Sequence, residues 1–197
     1  MKDLDIVLAS GSPRRRDLLE GLGWKFRILT PEIDENPRAG ESPEELCLRL
    51  AAAKAQSVDC DETSLIVAAD TIVVVDGDVL GKPADEDESL RMIRRLQGRV
   101  HEVLTGMGIR WKKRVSTGLE RTRVYFRSLD ERALRAYAET GEGMDKAGAY
   151  AIQGRGSLLV SSIEGDYFNV VGLPLCRLGS MLEEMDLTLP CQWGIRK

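Results

Sequence analysis

Between Ser64 and Val75 the chain runs Ser-Leu-Ile-Val-Ala-Ala-Asp-Thr-Ile-Val-Val-Val, an almost unbroken apolar stretch with one carboxylate, Asp70, in its middle. Asp76-Gly77 follows as a tight hairpin signal and returns the chain through Val79 and Leu80. The stretch reads as buried strand, and it falls short of the roughly 18 apolar residues of a membrane span. A carboxylate in such a place needs an ionic partner, a metal or a catalytic use, or else it caps backbone N–H groups at a strand end or bulge. The residue type alone leaves these alternatives open.

The flanking sequence alternates strand and helix signals. A strand over Leu4 to Ala9 ends in the turn Ser10-Gly11-Ser12, with Ser12 as N-cap and Pro13 at the first helical position. The helix that follows sets Leu18, Leu19 and Leu22 to one side and stops near Gly21 or Gly23. A second strand is predicted over Lys25 to Leu29, then a loop from Pro31 to Glu41. Ser42-Pro43-Glu44-Glu45 has the form of a capping box and opens a helix to about Val58. Further helices are predicted over Asp85 to Gln97, Leu129 to Glu139 and Pro174 to Met185. Strands are predicted over Val100 to Trp111, Val115 to Arg127 and Leu158 to Ile163, with Thr140 to Gly156 as a Gly-rich loop. This is an α/β chain with a mixed sheet. No internal repeat and no Pro- or Ser-rich linker divides it, so residues 1–197 read as a single domain.

Composition narrows the chemistry. Lys and Arg number 28 against 32 Asp and Glu, a formal charge of -4, which argues against nucleic acid as the main partner. With neither a signal-peptide pattern at MKDLDIVLAS nor a membrane span, a cytoplasmic protein is expected. Cys47, Cys60, Cys176 and Cys191 have no C-x-x-C spacing and read as reduced thiols. His101 is the whole imidazole supply, so two-histidine metal sites are impossible. Its alternation with apolar neighbours suits a hydrogen-bonded sheet residue better than a catalytic base. Carboxylates, Lys and Arg must then carry most of any catalysis.

Four other places could do so. Arg14, Arg15 and Arg16 stand in the first turn of a helix, where positive charge opposes the dipole, and this points to an anion such as phosphate; the alternative is a solvated basic turn. Glu32, Asp34 and Glu35 form an acidic loop that could offer oxygen ligands to Mg2+ or simply be solvated. Lys54 and Lys82 could each reach a phosphate or lie at the surface. In Asp145 to Gly156, glycines allow close backbone approach to a ligand, and the Gln153 amide can both donate to and accept from a base edge. An ordinary tight connection is the alternative there. Neither G-x-G-x-x-G nor a P-loop occurs.

Together, Leu8-Ala9-Ser10-Gly11-Ser12-Pro13-Arg14-Arg15, Ile33-Asp34-Glu35, Leu50-Ala51 with Lys54-Ala55, Ala69-Asp70-Thr71, Gly81-Lys82-Pro83, Gly98-Arg99 with His101 and Thr105-Gly106, Asp145 to Tyr150, Ile152-Gln153-Gly154 and Gly172-Leu173-Pro174 closely resemble the Maf family of nucleoside triphosphate pyrophosphatases. The likeness runs in order from about residue 4 to 185. It implies a mixed sheet flanked by helices, similar to inosine triphosphate pyrophosphatases, with a long cleft between two lobes. It also implies hydrolysis of a nucleoside triphosphate to monophosphate and pyrophosphate with a divalent cation, Mg2+ or Mn2+. Position by position, the resemblance suggests Asp70 as proton acceptor, Glu35 as a second catalytic carboxylate, and both as metal ligands. It suggests Ser10, Arg15, Lys54 and Lys82 as phosphate-binding residues. Family members acting on dTTP and UTP resemble this chain at Arg14, Thr71 and Gln153; the 7-methyl-GTP branch carries Trp, Gln and Glu at those places. Ala151 departs from the Gly of many relatives. A homodimer is compatible with the resemblance, and neither nucleic acid nor membrane is an expected partner. The rival readings are a 7-methyl-GTP pyrophosphatase and a non-catalytic nucleotide-binding regulator, the family being associated with inhibition of septum formation and arrest of cell division.

Overall fold

The computed structural model describes Met1 and residues 4–195, so the last two residues of the 186–197 tail lie outside the described residues. The elements in chain order are β1 (Ile6–Leu8), α1 (Pro13–Gly21), β2 (Arg27–Ile28), α2 (Pro43–Ser57), β3 (Leu65–Val75), β4 (Asp78–Leu80), α3 (Glu86–Leu96), β5 (Val100–Trp111), β6 (Arg114–Phe126), α4 (Glu131–Ala138), β7 (Val160–Glu164), α5 (Tyr167–Val171), α6 (Leu175–Glu183) and α7 (Leu189–Gln192). The strands form one mixed sheet in the order β2-β1-β3-β5-β6-β7, with β4 paired to the end of β3. β1 runs parallel to β2 and β3, whereas β4 and β7 pair antiparallel with β3 and β6.

By its internal contacts the chain divides into two units. The first comprises Met1–Asp70, Thr105–Glu120 and Gly172–Lys197; the second comprises Thr71–Leu104 and Arg121–Val171. In the first unit, successive side chains of β1 and β3 point to opposite faces, and both faces are covered. Ile6, Leu8, Leu65, Val67 and Ala69 join Leu19 of α1 and Leu178 of α6 in one cluster. Val7, Ala9, Ile66 and Ala68 join Ala55 and Val58, at the end of α2, in another. Double coverage is why β3 reads as a continuous apolar run instead of an alternating one. The same period puts Asp70, two residues beyond Ala68, on the α2 side.

Glycine lets α2 come close. A Cβ on Gly106 would run into the Cys47 carbonyl, and one on Gly108 into the Ala51 carbonyl. Two residues along β5 thus match one turn of α2, and the helix backbone rests on the strand. The N-terminus of α2 carries the expected capping box: the Glu45 N–H donates to Ser42 Oγ at 3.2 Å and the Ser42 N–H to Glu45 Oε2 at 2.8 Å.

The second unit has its own core, in which Val73, Val75, Leu90, Ile93, Leu96, Val103, Val124 and Phe126 pack with Leu134 and Tyr137 of α4. Asp85 and Asp130 cap α3 and α4, and Gly98, at φ +66°, follows α3. His101 is the expected sheet residue. Its Nε2 lies 2.8 Å from the Tyr150 hydroxyl, its ring meets Phe126 edge to face, and burial pushes its pKa down to about 4.

Several expectations need correction. Ser12 occupies the N-cap position of α1, but its side chain makes no capping bond. Leu22 is 40% exposed, so Leu19 alone anchors α1 fully in the core. The Gly-rich loop holds two 3-10 turns, Ala147–Ala149 and Gly154–Leu158, and the second absorbs Leu158, so β7 starts at Val160. Helices α5 and α7, of 5 and 4 residues, are too short to show a helical period. All four cysteines are free thiols, and among the described residues no helix is long and apolar enough to cross a membrane.

Replacing Gly106 by Ala should force α2 off the sheet. Overpacking of this kind costs about 1–3 kcal/mol, which thermal denaturation should register as a midpoint lowered by several degrees.

Candidate active site

The carboxylate of Asp70 and the ammonium of Lys54 meet at 2.6 Å, and each residue is only 8% exposed. Lys54 lies on the buried side of α2, one turn past Leu50 and two past Cys47. The spacing 47, 50, 51, 54 is one helix face, so the pattern that buries Leu50 and Ala51 also directs Lys54 at the sheet. A buried carboxylate and a buried ammonium each require the other.

Glu35 supplies a second carboxylate. Its Oε1 lies 2.7 Å from Lys54 Nζ, so one ammonium joins two carboxylates, although the Glu35 side chain is 57% exposed. The loop that carries Glu35 is braced within itself and tied to α2 through Arg49. Asp34 accepts from the Asn36 N–H at 3.0 Å and from its side-chain amide at 2.7 Å. Arg49, on α2, donates to Glu41 at 2.5 and 2.8 Å and to the Asn36 carbonyl at 3.1 Å. The Arg49 guanidinium holds the Glu41 carboxyl down at about 2. The acidic loop is therefore not a joint cluster: Glu32 is exposed, Asp34 shapes the turn, and Glu35 reaches the site.

Behind Asp70 stands Cys47, whose spacing in the sequence marks it only as a reduced thiol. The Cys47 thiol donates to the Asp70 carbonyl oxygen at 3.0 Å, and its sulfur accepts the Gly106 N–H at 2.8 Å. Burial pushes this thiol up to about 12, with the Asp70 charge adding to the shift, so it stays a neutral donor. Its place on the face that bears Lys54 was the available signal.

The basic turn is sorted by the structure. Ser10 Oγ accepts from the Ser12 N–H at 3.2 Å and from Arg15 Nη1 at 3.1 Å. Arg15 Nε donates to the Gly172 carbonyl at 2.7 Å. Burial lowers the Arg15 pKa from its ordinary high value, and the Asp70 charge opposes that shift. Arg14 is partly buried on the same turn. Arg16 is exposed and turns to Asp17 at 3.0 Å and Glu20 at 3.8 Å, so it leaves the predicted anion-binding trio. Ser10, Arg15, Glu35, Lys54 and Asp70 thus belong together in the first unit.

Thr71, Lys82 and Gln153 belong to the second unit. Thr71 is partly buried, and Lys82 is exposed. The loop before Lys82 is fixed by the Gly148 N–H, which donates to the Gly81 carbonyl at 3.0 Å. Gln153 is exposed and immediately precedes a 3-10 turn, which its side chain does not cap. Glu142, which no local sequence pattern marks, holds that turn: its Oε1 accepts from the Arg155 N–H at 2.9 Å and its Oε2 from the Gly156 N–H at 2.8 Å.

Among the described residues no group of three or more His, Cys, Asp or Glu could hold a metal ion. Two carboxylates already share one cation, however. Mg2+ is commonly held by one or two carboxylates and completed by substrate phosphates and water. Asp70 and Glu35 fit that requirement.

A mixed α/β sheet with a buried carboxylate-ammonium pair beside a held arginine defines a scaffold equipped for an anionic substrate. The fold is shared with the HAM1 protein of Coxiella burnetii (TM-score 0.52, 15% identity, 92% of this chain and 99% of that one) and with the Staphylococcus aureus Ham1 protein (TM-score 0.50, 12% identity, 92% and 99%). The Maf-like protein family matches residues 5–185, and the chain belongs to it. It is 51% identical over 183 residues to the dTTP/UTP pyrophosphatase of Pelotomaculum thermopropionicum, covering 91% of this chain and 96% of that one. It is also 51% identical over 178 residues to the dTTP/UTP pyrophosphatase of Syntrophomonas wolfei subsp. wolfei, covering 89% and 94%.

Two substitutions separate the roles within the pair. Lys54→Met removes the cation shared by both carboxylates and should cost about 3 kcal/mol in urea denaturation. Asp70→Asn leaves Lys54 paired with Glu35 and should cost clearly less.

Proposed function

We propose that this protein hydrolyses dTTP and UTP to the nucleoside monophosphate and pyrophosphate. The observation that carries the reading is the buried Asp70-Lys54 pair, joined by the more exposed Glu35, beside Arg15. The names of its relatives supply the substrates.

Cleavage of the α-β phosphoanhydride by water requires a base for the attacking proton and positive charge for the phosphates. Asp70 accepts the proton; its main chain is held by Cys47 and its side chain by Lys54. Ser10, Arg15 and Lys54 bind phosphate oxygens, Arg15 being fixed in direction by Ser10 and Gly172. Lys82 contributes a further ammonium to phosphate binding. Asp70 and Glu35 hold a divalent cation, Mg2+ or Mn2+. When bound, it offsets negative charge on the substrate. Gln153 reads the pyrimidine: an amide both donates and accepts, which suits an imide edge, and Arg14 and Thr71 act with it in substrate selection.

Incubation with each common triphosphate and 7-methyl-GTP, followed by separation of the products, should give dTMP and UMP with pyrophosphate. Release of a diphosphate and inorganic phosphate would overturn the reaction, and preference for 7-methyl-GTP would overturn the substrates. Removing divalent metal should abolish turnover, and adding back Mg2+ or Mn2+ should restore it. Asp70→Asn should fold normally and lose about 10²- to 10⁴-fold in turnover; near-normal activity would remove Asp70 as the base.

A further inference from the structure

The backbone on both sides of Gln153 is held by one pair of side chains. Upstream, the Ala151 N–H donates to the Tyr137 hydroxyl oxygen at 3.2 Å. Downstream, the N–H groups of Arg155 and Gly156 donate to the two carboxylate oxygens of Glu142. The Tyr137 hydroxyl in turn donates to Glu142 Oε2 at 3.1 Å, so phenol and carboxylate form one connected bracket around residues 151–156. Glu142 is itself fixed. Its N–H donates to Thr140 Oγ1 at 3.2 Å, and Lys146 Nζ donates to its carbonyl at 2.5 Å. Gly154 completes the device. Its φ is +66°, and a Cβ there would run into Glu142 Oε1, so the carboxylate occupies the volume a side chain would need.

A side-chain amide discriminates bases only if its donor and acceptor ends point in fixed directions, because a rotated amide offers the opposite pattern. Gln153 is exposed and its side chain does not cap the turn, so the place and direction from which its side chain leaves the loop are set by the backbone that carries it. We propose that Glu142 is a positioning residue for nucleobase selection: by pinning Arg155 and Gly156, with Tyr137 holding Ala151, it fixes the backbone position and the Cα–Cβ direction from which Gln153 presents its amide. Two backbone hydrogen bonds to a charged acceptor make a stiff clamp. This rests on the reading of Gln153 as the base-reading residue.

The experiment compares Glu142→Ala, Glu142→Gln, Gln153→Ala and the double variant Glu142→Ala/Gln153→Ala in the full chain. Kinetics are followed with dTTP, UTP and CTP as substrates. Glu142→Ala should lower the kcat/KM preference for dTTP over CTP about tenfold, the worth of roughly one hydrogen bond, with the loss in KM. Glu142→Gln, which keeps one acceptor oxygen, should lower it less, and serves alone with Gln153→Ala if the Ala variant does not fold. Gln153→Ala should cost far less selectivity in the Glu142→Ala background than in the wild type, a dependence that general loss of structure does not produce. Uniform loss of kcat for all three nucleotides, or an equal cost of Gln153→Ala in both backgrounds, would overturn the proposal. If Gln153→Ala lowers selectivity and neither Glu142 variant does, the positioning role fails and the base-reading role stands. If Gln153→Ala changes nothing, both fail together. If dTTP and UTP are not turned over at all, the hydrolysis reading fails, and dissociation constants for the same nucleotides and variants decide the role of Glu142 by the same criteria.

Discussion

The rest of the first unit depends on a buried cation shared by two carboxylates. Placing Asp70 inside an apolar strand is unfavourable unless an opposite charge meets it with good geometry. Lys54 can do so only because α2 lies unusually near the sheet, and α2 lies there because Gly106 and Gly108 leave room for its backbone. The near approach also brings the Cys47 sulfur between the Gly106 N–H and the Asp70 carbonyl. Small residues on one strand, a lysine on the facing helix and an acid on the next strand are therefore parts of one solution. A larger residue at 106 or 108 would disturb the charge pair without touching it.

The faces that meet here were legible in the sequence because they follow from local periods, whereas the pairing of Lys54 with Asp70 was not. The step of two from Ile66 and Ala68 to Asp70, and the steps of three and four from Cys47 to Lys54, fix which side chains face each other once the elements pack. The capping box at Ser42 and the turn at Asp76-Gly77 are local chemistry and appear where expected. What the sequence concealed was pairing at a distance. Arg16 looks like Arg14 and Arg15 in the sequence, yet Asp17 and Glu20 are near enough to draw it away. Ser12 has the composition of a cap, but Ser10 makes the bonds, because Arg15 fixes its hydroxyl. Cys47 and Glu142 act through atoms of residues 23 and 13 or more positions away, and no window of a few residues contains both partners.

The two units use carboxylates in different ways. Asp70 and Glu35 meet an ammonium. Glu142 has its oxygens engaged by backbone N–H groups and a phenol. Burial alone would raise its pKa, but the hydrogen bonds from Arg155 and Gly156 outweigh that and hold it below the ordinary carboxylate value. It therefore remains charged near neutrality, and its two backbone bonds remain charge-assisted. The single histidine takes no part in either arrangement: desolvated between Phe126 and Tyr150, it is neutral near pH 7.

A fold shared with Ham1 proteins at 12 and 15% identity shows how little of the sheet's sequence is needed to specify its architecture. On the proposed reading, base selection falls on Gln153, a residue that the core does not constrain. Gln153 and Lys82 are exposed, so no packing requirement dictates their identity. Their backbone neighbours are the opposite case. Gly154 is excluded from other residue types by both its φ and the Glu142 oxygen, while Gly148 holds the loop of Lys82 through the Gly81 carbonyl. Rigid backbone under a replaceable side chain lets substrate preference change by substitution at one position while the sheet, the charge pair and the chemistry they support remain as they are.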